Sequence, residues 1–270
     1  MEIQSKFPNF HFKVDAASDS YGPKFWDTFA KGEYEPDTTL TLLHKFDTNT
    51  IFFDVGAATG AMSLMAASQG SKVIAYEPIS IFFEALSQNL ALNPGLVKLV
   101  TLRKAIISTR EGEYSLTNAV GHSISSIVFD PENSKEEKVS EVLLVNEINT
   151  FFKKGKNLVL KVDIEGAEYK IFQDLDLLNL LQELNAEVIL AIHPGFFRPI
   201  GNRNSKFWHL RHVLFVFRNM VDNFLFYRTL TRVALIYRSN KVKVSSPTKF
   251  AIMAAVGVFE FYLIFGKTKA

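Results

Sequence analysis

Asp54-Val55-Gly56-Ala57-Ala58-Thr59-Gly60 sets an acid and a run of small residues at the end of a short apolar stretch, Ile51–Val55. Small residues at 56, 58 and 60 let a backbone bend sharply and approach a ligand closely. A helix starting just after them would offer unpaired N–H groups and a positive dipole end. Glu77 lies 23 residues beyond Asp54, at the end of a second apolar stretch, Lys72–Tyr76, with Pro78 after it. That is near the roughly 20-residue offset at which an acid accepts hydrogen bonds from a ribose diol. Two adenosine cofactors suit this spacing, NAD(P) and S-adenosylmethionine. The G-x-G-x-x-G cradle usual for a pyrophosphate is missing, and Asp54 would repel one. An acid there suits an ammonium-bearing ligand, so the expected cofactor is S-adenosylmethionine. No G-x-x-x-x-G-K-[ST] motif is present, which argues against a P-loop NTPase.

Methyl transfer from a sulfonium is an in-line displacement on carbon. The protein must align the acceptor and, for a hydroxyl, remove its proton. The candidates are Asp163, at the end of a strand Leu158–Val162, and His193, which follows a strand Glu187–Ile192. His193 has the pKa range of a general base near neutrality. Glu165 would point into the pocket, while Glu168 reads as a first-turn charge favoured by the helix dipole. Asp163, Glu165 and His193 are also the residues that would gather a divalent cation, although no metal-ligand set is assigned. His122 with Ser123, Ser125 and Ser126 would form a lid or acceptor loop.

The elements that must position these groups alternate. Strands at 51–55, 72–76, 97–102, 158–162 and 187–192 are separated by helical patterns, which implies crossovers and a mostly parallel sheet covered on both faces. Ser80 is placed to cap a helix carrying Ile81, Phe82, Leu86 and Leu90, and Asn93-Pro94-Gly95 stops that helix. Ala167, Ile171, Phe172 and Leu175 form one apolar helical face. Ser108–Glu147 is a polar excursion from the sheet. The economical reading is one α/β domain over residues 1–270. It would comprise a helical lead-in at 1–48, a cofactor-binding core at 49–200, and a basic, aromatic-rich part at 201–270 completing the sheet.

Four segments, in order, resemble the FkbM-like S-adenosylmethionine-dependent methyltransferases. Gly32-Glu33-Tyr34-Glu35-Pro36 resembles the family's short upstream motif, Phe53–Gly60 its D-V-G-A-N-x-G turn, and Tyr76-Glu77-Pro78 its acid–proline pair. Leu160–Glu168 resembles its K-x-D-x-E-G-A-E signature. The resemblance implies a Rossmann-like, seven-stranded methyltransferase sheet and O-methylation of sugars, glycans or secondary metabolites. It implies cofactor binding through Glu35, Asp54, Gly56, Ala57, Thr59, Gly60, Glu77, Pro78 and Asp163. Ala58 departs from the family's frequent Asn, so a side-chain contact is either missing or supplied by Thr59.

Composition bounds the rest. Hydrophobic residues are 47% of the 270 and charged residues 21%, enough for a full core and unlike a disordered chain. Cysteine is absent, which excludes disulfides, thiolate metal sites and a cysteine nucleophile. The net charge of +2 conceals an asymmetry: from Arg198 onward, 13 Lys and Arg face only Asp222 and Glu260. A basic third of this kind points to an anionic acceptor. The basic, aromatic tail also raises an RNA methyltransferase reading, ranked lower because no RNA-binding module accompanies it. Another alternative is a non-catalytic methyltransferase-like binding protein. Phe250–Gly266 is apolar but contains Glu260. It reads as a buried helix and a buried strand split near Gly257, with peripheral membrane contact as the alternative. Glu2, Lys6, Pro8 and Asp15 interrupt any apolar leader, so a cytoplasmic, membrane-peripheral location is the expectation.

Overall fold

The strand Thr50–Val55 is buried along its whole length, as a central parallel strand covered on both faces must be. It belongs to a computed structural model that describes residues 1–4, 10–17, 21–115, 137–164, 168–192, 221–238, 242–255 and 260–266. In chain order the elements are strands β1 (Glu2–Gln4) and β2 (His11–Lys13), helices α1 (Gly22–Ala30) and α2 (Pro36–Leu43), β3 (Thr50–Val55), α3 (Ala61–Ser68), β4 (Lys72–Tyr76), α4 (Ser80–Ala91), the short α5 (Pro94–Val97) and β5 (Val100–Arg103). There follow β6 (Ala105–Ser108), β7 (Gly112–Ser115), β8 (Lys138–Leu143), α6 (Leu144–Phe151), β9 (Asn157–Val162), α7 (Glu168–Ile171), α8 (Leu175–Glu183) and β10 (Glu187–Ala191). The last are α9 (residues 221–230), β11 (Ala234–Arg238), α10 (Pro247–Ala255) and β12 (Glu260–Phe265).

The main sheet has seven strands in the order β11-β12-β10-β9-β3-β4-β5. All neighbours from β10 to β5 are parallel, and β12 alone runs antiparallel to both of its partners. The chain leaves β3 towards β4 and β5, then returns to β9 on the other side and continues to β10. The order therefore reverses between β3 and β9, and a crevice opens outside the carboxyl ends of those strands. Because β12 is reversed, its first residue, Glu260, pairs with Ala191 at the last position of β10. A carboxylate from the far end of the sequence thus reaches the same edge.

Two apolar layers cover the sheet. One face packs Phe53, Val55, Ile74, Leu160 and Leu190 beneath α6, α8, α9 and α10. The other packs Phe52, Val73, Ala75, Val159 and Ile189 beneath α1, α3 and α4, together with Phe10 and Phe12 of the N-terminal part. Strand alternation then puts Asp54 and Lys161 on this second face, where they are direct register partners on β3 and β9.

Several expectations need adjusting. The lead-in opens with an antiparallel β1–β2 ribbon before its two helices. Asn93, at the start of α5, clasps that ribbon, accepting from the Lys13 amide and donating to the Lys13 carbonyl. Ser80 does not cap α4: Ile79 holds the cap position, and the Ser80 hydroxyl instead donates to Glu137 and accepts from Lys104. The third strand starts at Val100, because Pro94–Val97 forms a turn of helix first. The single helix expected through Leu175 is broken in two. Asp174 adopts an extended conformation and its carboxylate accepts the Asp176 and Leu177 amides, starting α8 afresh and leaving Leu175 67% exposed. The excursion after β5 contributes β6, β7 and β8, which form a separate three-stranded sheet. The apolar run at 250–266 divides into α10 and β12, as its composition implied. Among the described residues no helix is long and apolar enough to cross a membrane.

Candidate functional site

The turn after β3 folds back over the end of β4. The amides of Gly56 and Ala57 both donate to the Tyr76 carbonyl at 3.0 Å, and the Asp163 amide donates to the Val55 carbonyl at 2.9 Å. Positive φ recurs at alternate positions: +87° at Gly56, 49° at Ala58 and +96° at Gly60. Gly56 is required twice over, since a Cβ there would lie 2.0 Å from the Asp163 carbonyl oxygen. A Cβ on Gly60 would meet Leu86 Cδ1 at 2.3 Å. Ala58 takes up the left-handed region without the local hydrogen bonding that makes Asn tolerant of it.

Glu77 holds the turn in place. It is 4% exposed, and its oxygens accept the Ala58 amide and the Ile79 amide, each at 2.9 Å. Thr59 is buried and its Oγ1 has no hydrogen-bond partner. Its carbonyl accepts from Asn89 Nδ2 at 3.0 Å, which ties the turn to α4, and Asn89 Oδ1 accepts the Asp15 amide.

Asp54 is 1% exposed, and Ser63 Oγ of α3 donates to its Oδ2 at 2.6 Å. Burial pushes its carboxyl up, opposed by the pull of Lys161 and the Ser63 hydrogen bond. Lys161 itself is 5% exposed and donates through Nζ to Asp163 Oδ2 at 2.7 Å. Burial alone would pull this ammonium down, but Asp163, Glu35, Tyr34 and Asp54 together hold it well above the usual lysine range. It is a cation fixed in an acidic surround.

Glu35 completes that surround from the N-terminal side. It precedes Pro36 at the start of α2 with φ of 40°, and its Oε2 is buried with no hydrogen-bond partner. Glu260 lies beside it. Thr38 Oγ1 donates to Glu260 Oε2 at 2.6 Å, and burial first, then the Glu35 carboxylate, push Glu260 up to about 7. Tyr34 is pushed up by burial and by Glu35.

The residues named from sequence therefore converge where they are described. The turn from Asp54 to Gly60, Glu77, Glu35 and Asp163 all gather around the carboxyl ends of β3, β4 and β9. His193 and Glu165 lie outside the described residues, as do the 122–126 loop and the basic residues from Arg198 to Arg218. Glu168, expected as a first-turn charge, does start α7 but is fully buried. Among the described residues no group of His, Asp and Glu is arranged to hold a metal ion. Sequence reading missed the parts played by Lys161, Glu260, Ser63 and Thr38. Lys161 stood inside a quoted segment, and a lone acid in an apolar run was the available signal for Glu260.

The family model described as Methyltransferase FkbM domain matches residues 54–216, more than half of the chain. No curated protein sequence matches. Among solved structures, the precorrin-6y C5,15-methyltransferase of Geobacter metallireducens is 11% identical with a TM-score of 0.32, over 77% of this chain and 75% of that one. Monomeric WbdD is 11% identical with a TM-score of 0.43 over 96% of this chain, which spans only 46% of WbdD. A geranyl diphosphate methyltransferase in complex with GPP and sinefungin is 14% identical with a TM-score of 0.40, over 96% and 88% of the two chains. The span matched by the family model opens at Asp54 and takes in Glu77 and Asp163, which are the acids that the sheet order brings to one edge. The chain belongs to the FkbM methyltransferase family and is an S-adenosylmethionine-dependent methyltransferase.

Proposed function

We propose that the protein is an O-methyltransferase that transfers the methyl group of S-adenosylmethionine to a hydroxyl of an anionic sugar, glycan or secondary metabolite. The observation that carries the donor half of this reading is the charge imbalance at the carboxyl edge. Among the described residues, Asp54, Asp163, Glu35 and Glu260 surround the ammonium of Lys161. Such an edge favours a ligand bearing an ammonium and a sulfonium and disfavours a pyrophosphate. The orphaned Thr59 Oγ1 and Glu35 Oε2 fit the same ligand, since buried polar atoms without partners are rare unless something binds there. In this reading the turn 56–60, Glu77 and Pro78 hold the adenosine end, and Glu35 and Asp163 hold the amino-acid end. Asp54 acts through Ser63 to fix the start of α3. The bound donor supplies an electrophilic methyl group on sulfur.

The chain's own task is to align the acceptor oxygen and take its proton. His193 lies two residues beyond the end of β10 in sequence, the strand beside β9, and is our choice of base, with Asp163 and Glu165 as the other catalytic candidates. The basic balance after Phe197 supports an anionic acceptor, gripped by Arg198 and Arg203 through paired donors. A lipid-linked glycan at a membrane surface would meet both those charges and the aromatic tail. The residues from 1 to 270 act in this reading as one domain.

Labelled methyl transfer from S-adenosylmethionine to phosphorylated glycans, neutral glycans and RNA tests the acceptor. We expect label in the anionic glycans, an apparent KM that rises with ionic strength, and a loss of about 10²–10⁴-fold in turnover for His193→Ala with cofactor binding intact. Label in RNA alone would establish the RNA alternative. Tight cofactor binding without transfer to any hydroxyl would favour the non-catalytic one.

A further inference from the structure

Glu260 has been given no part of the ligand to hold, yet it sits at the same edge, half-buried, with a second carboxylate against it. The groups facing it are Glu35 and Thr38 at the start of α2 and Lys161 of β9. Beyond Lys161 lie Asp163 of β9, Asp54 of β3 and Tyr34. From β10 its register partner is Ala191, which does not titrate. Among the described residues the Thr38 hydroxyl donates to Glu260 Oε2 at 2.6 Å, while Glu35 Oε2 is buried without a donor. The Lys161 ammonium donates to Asp163 at 2.7 Å. Burial and a like charge beside it favour the protonated form of Glu260 until another cation arrives. Both residues, unlike Asp54, retain some exposed surface.

We propose that Glu35 and Glu260 form the subsite for the charged amino group of the methyl donor, and that the amino group displaces the proton Glu260 holds in the free protein. The inference rests on the donor site proposed above and extends it to a residue at the other end of the chain. An exchange of this kind links donor affinity to pH. With Glu260 at about 7 in the free protein, it carries its proton at pH 5.5 and must release it on binding. At pH 7 that proton is already half gone. The donor's α-amino group, with an ordinary pKa of about 7.7–8.0, stays charged across this window. Affinity therefore rises with pH, by roughly tenfold between pH 5.5 and 7 for one proton displaced.

Calorimetric titrations of the full chain at both pH values, in buffers of differing ionisation heat, test this with three probes. S-adenosylmethionine and S-adenosylhomocysteine carry the amino group, and 5′-methylthioadenosine does not. We expect about one proton released at pH 5.5, about half at pH 7, and the tenfold rise with the first two probes only. Glu260→Gln, which keeps an oxygen for Thr38, should abolish the rise. Glu35→Gln, which removes the like charge, should move it to lower pH; thermal melts establish that each variant is folded. Should Glu260→Gln fail to fold, the displacement seen with Glu35→Gln decides alone. An affinity that is flat with pH, an equal proton release with 5′-methylthioadenosine, or variants that leave the profile unchanged would overturn the subsite while leaving the donor site standing. Absence of binding by all three probes would remove the donor site as well.

Discussion

Gly56 bears the strictest constraint in the site. Its φ of +87° and the Asp163 carbonyl 2.0 Å from a would-be Cβ mean that any side chain must push β3 and β9 apart. Gly56→Ala should therefore lower stability by about 3 kcal/mol or more, well above the roughly 1 kcal/mol typical of point substitutions. Denaturant unfolding measures it, and a loss below 1 kcal/mol would mean the turn relaxes more freely than its geometry implies. The glycine and acid pattern was readable because it is local: positive φ and strand-end acids are written into neighbouring residues. Lys161 and Glu260 were not readable as partners of Asp54 and Glu35. Their pairing depends on register between strands and on a reversed last strand, neither of which the residues themselves encode one at a time.

At the scale of elements, the alternation of strands and helices around the turn was legible, and the interruptions were not. The helical period through Ile171 and Phe172 continues to Leu175 in sequence, yet Asp174 offers its carboxylate to two following amides and ends the period. Local side-chain hydrogen bonding of this kind competes with helix continuation. Asp174→Ala should cost about 1 kcal/mol by removing the cap of α8, and Asp174→Asn should cost much less. Equal losses for the two would assign the effect to charge at the helix start rather than to capping. Ser80 illustrates the converse. It has the composition of a cap, but Glu77 already accepts the Ile79 amide, and its hydroxyl joins Lys104 and Glu137.

For the whole molecule, function follows from the strand order. Leaving β3 in one direction and returning through β9 on the other side opens the crevice, and the antiparallel β12 delivers Glu260 to it. The N-terminal α2 closes over the same edge with Glu35 and Thr38. A parallel sheet with its helices was predictable from the alternating pattern, whereas contacts spanning 222 residues, such as Thr38 to Glu260, come only with the tertiary fold. The central claim is that this edge binds S-adenosylmethionine with Glu77 at its adenosine end. Calorimetric titration of S-adenosylmethionine into the wild-type chain and Glu77→Ala tests it most directly. We predict one equivalent bound by the wild type and an affinity weaker by roughly 1–3 kcal/mol in a folded Glu77→Ala, the scale of hydrogen bonds to a charged group. No binding by the wild type, or unchanged affinity in the folded variant, would contradict the account.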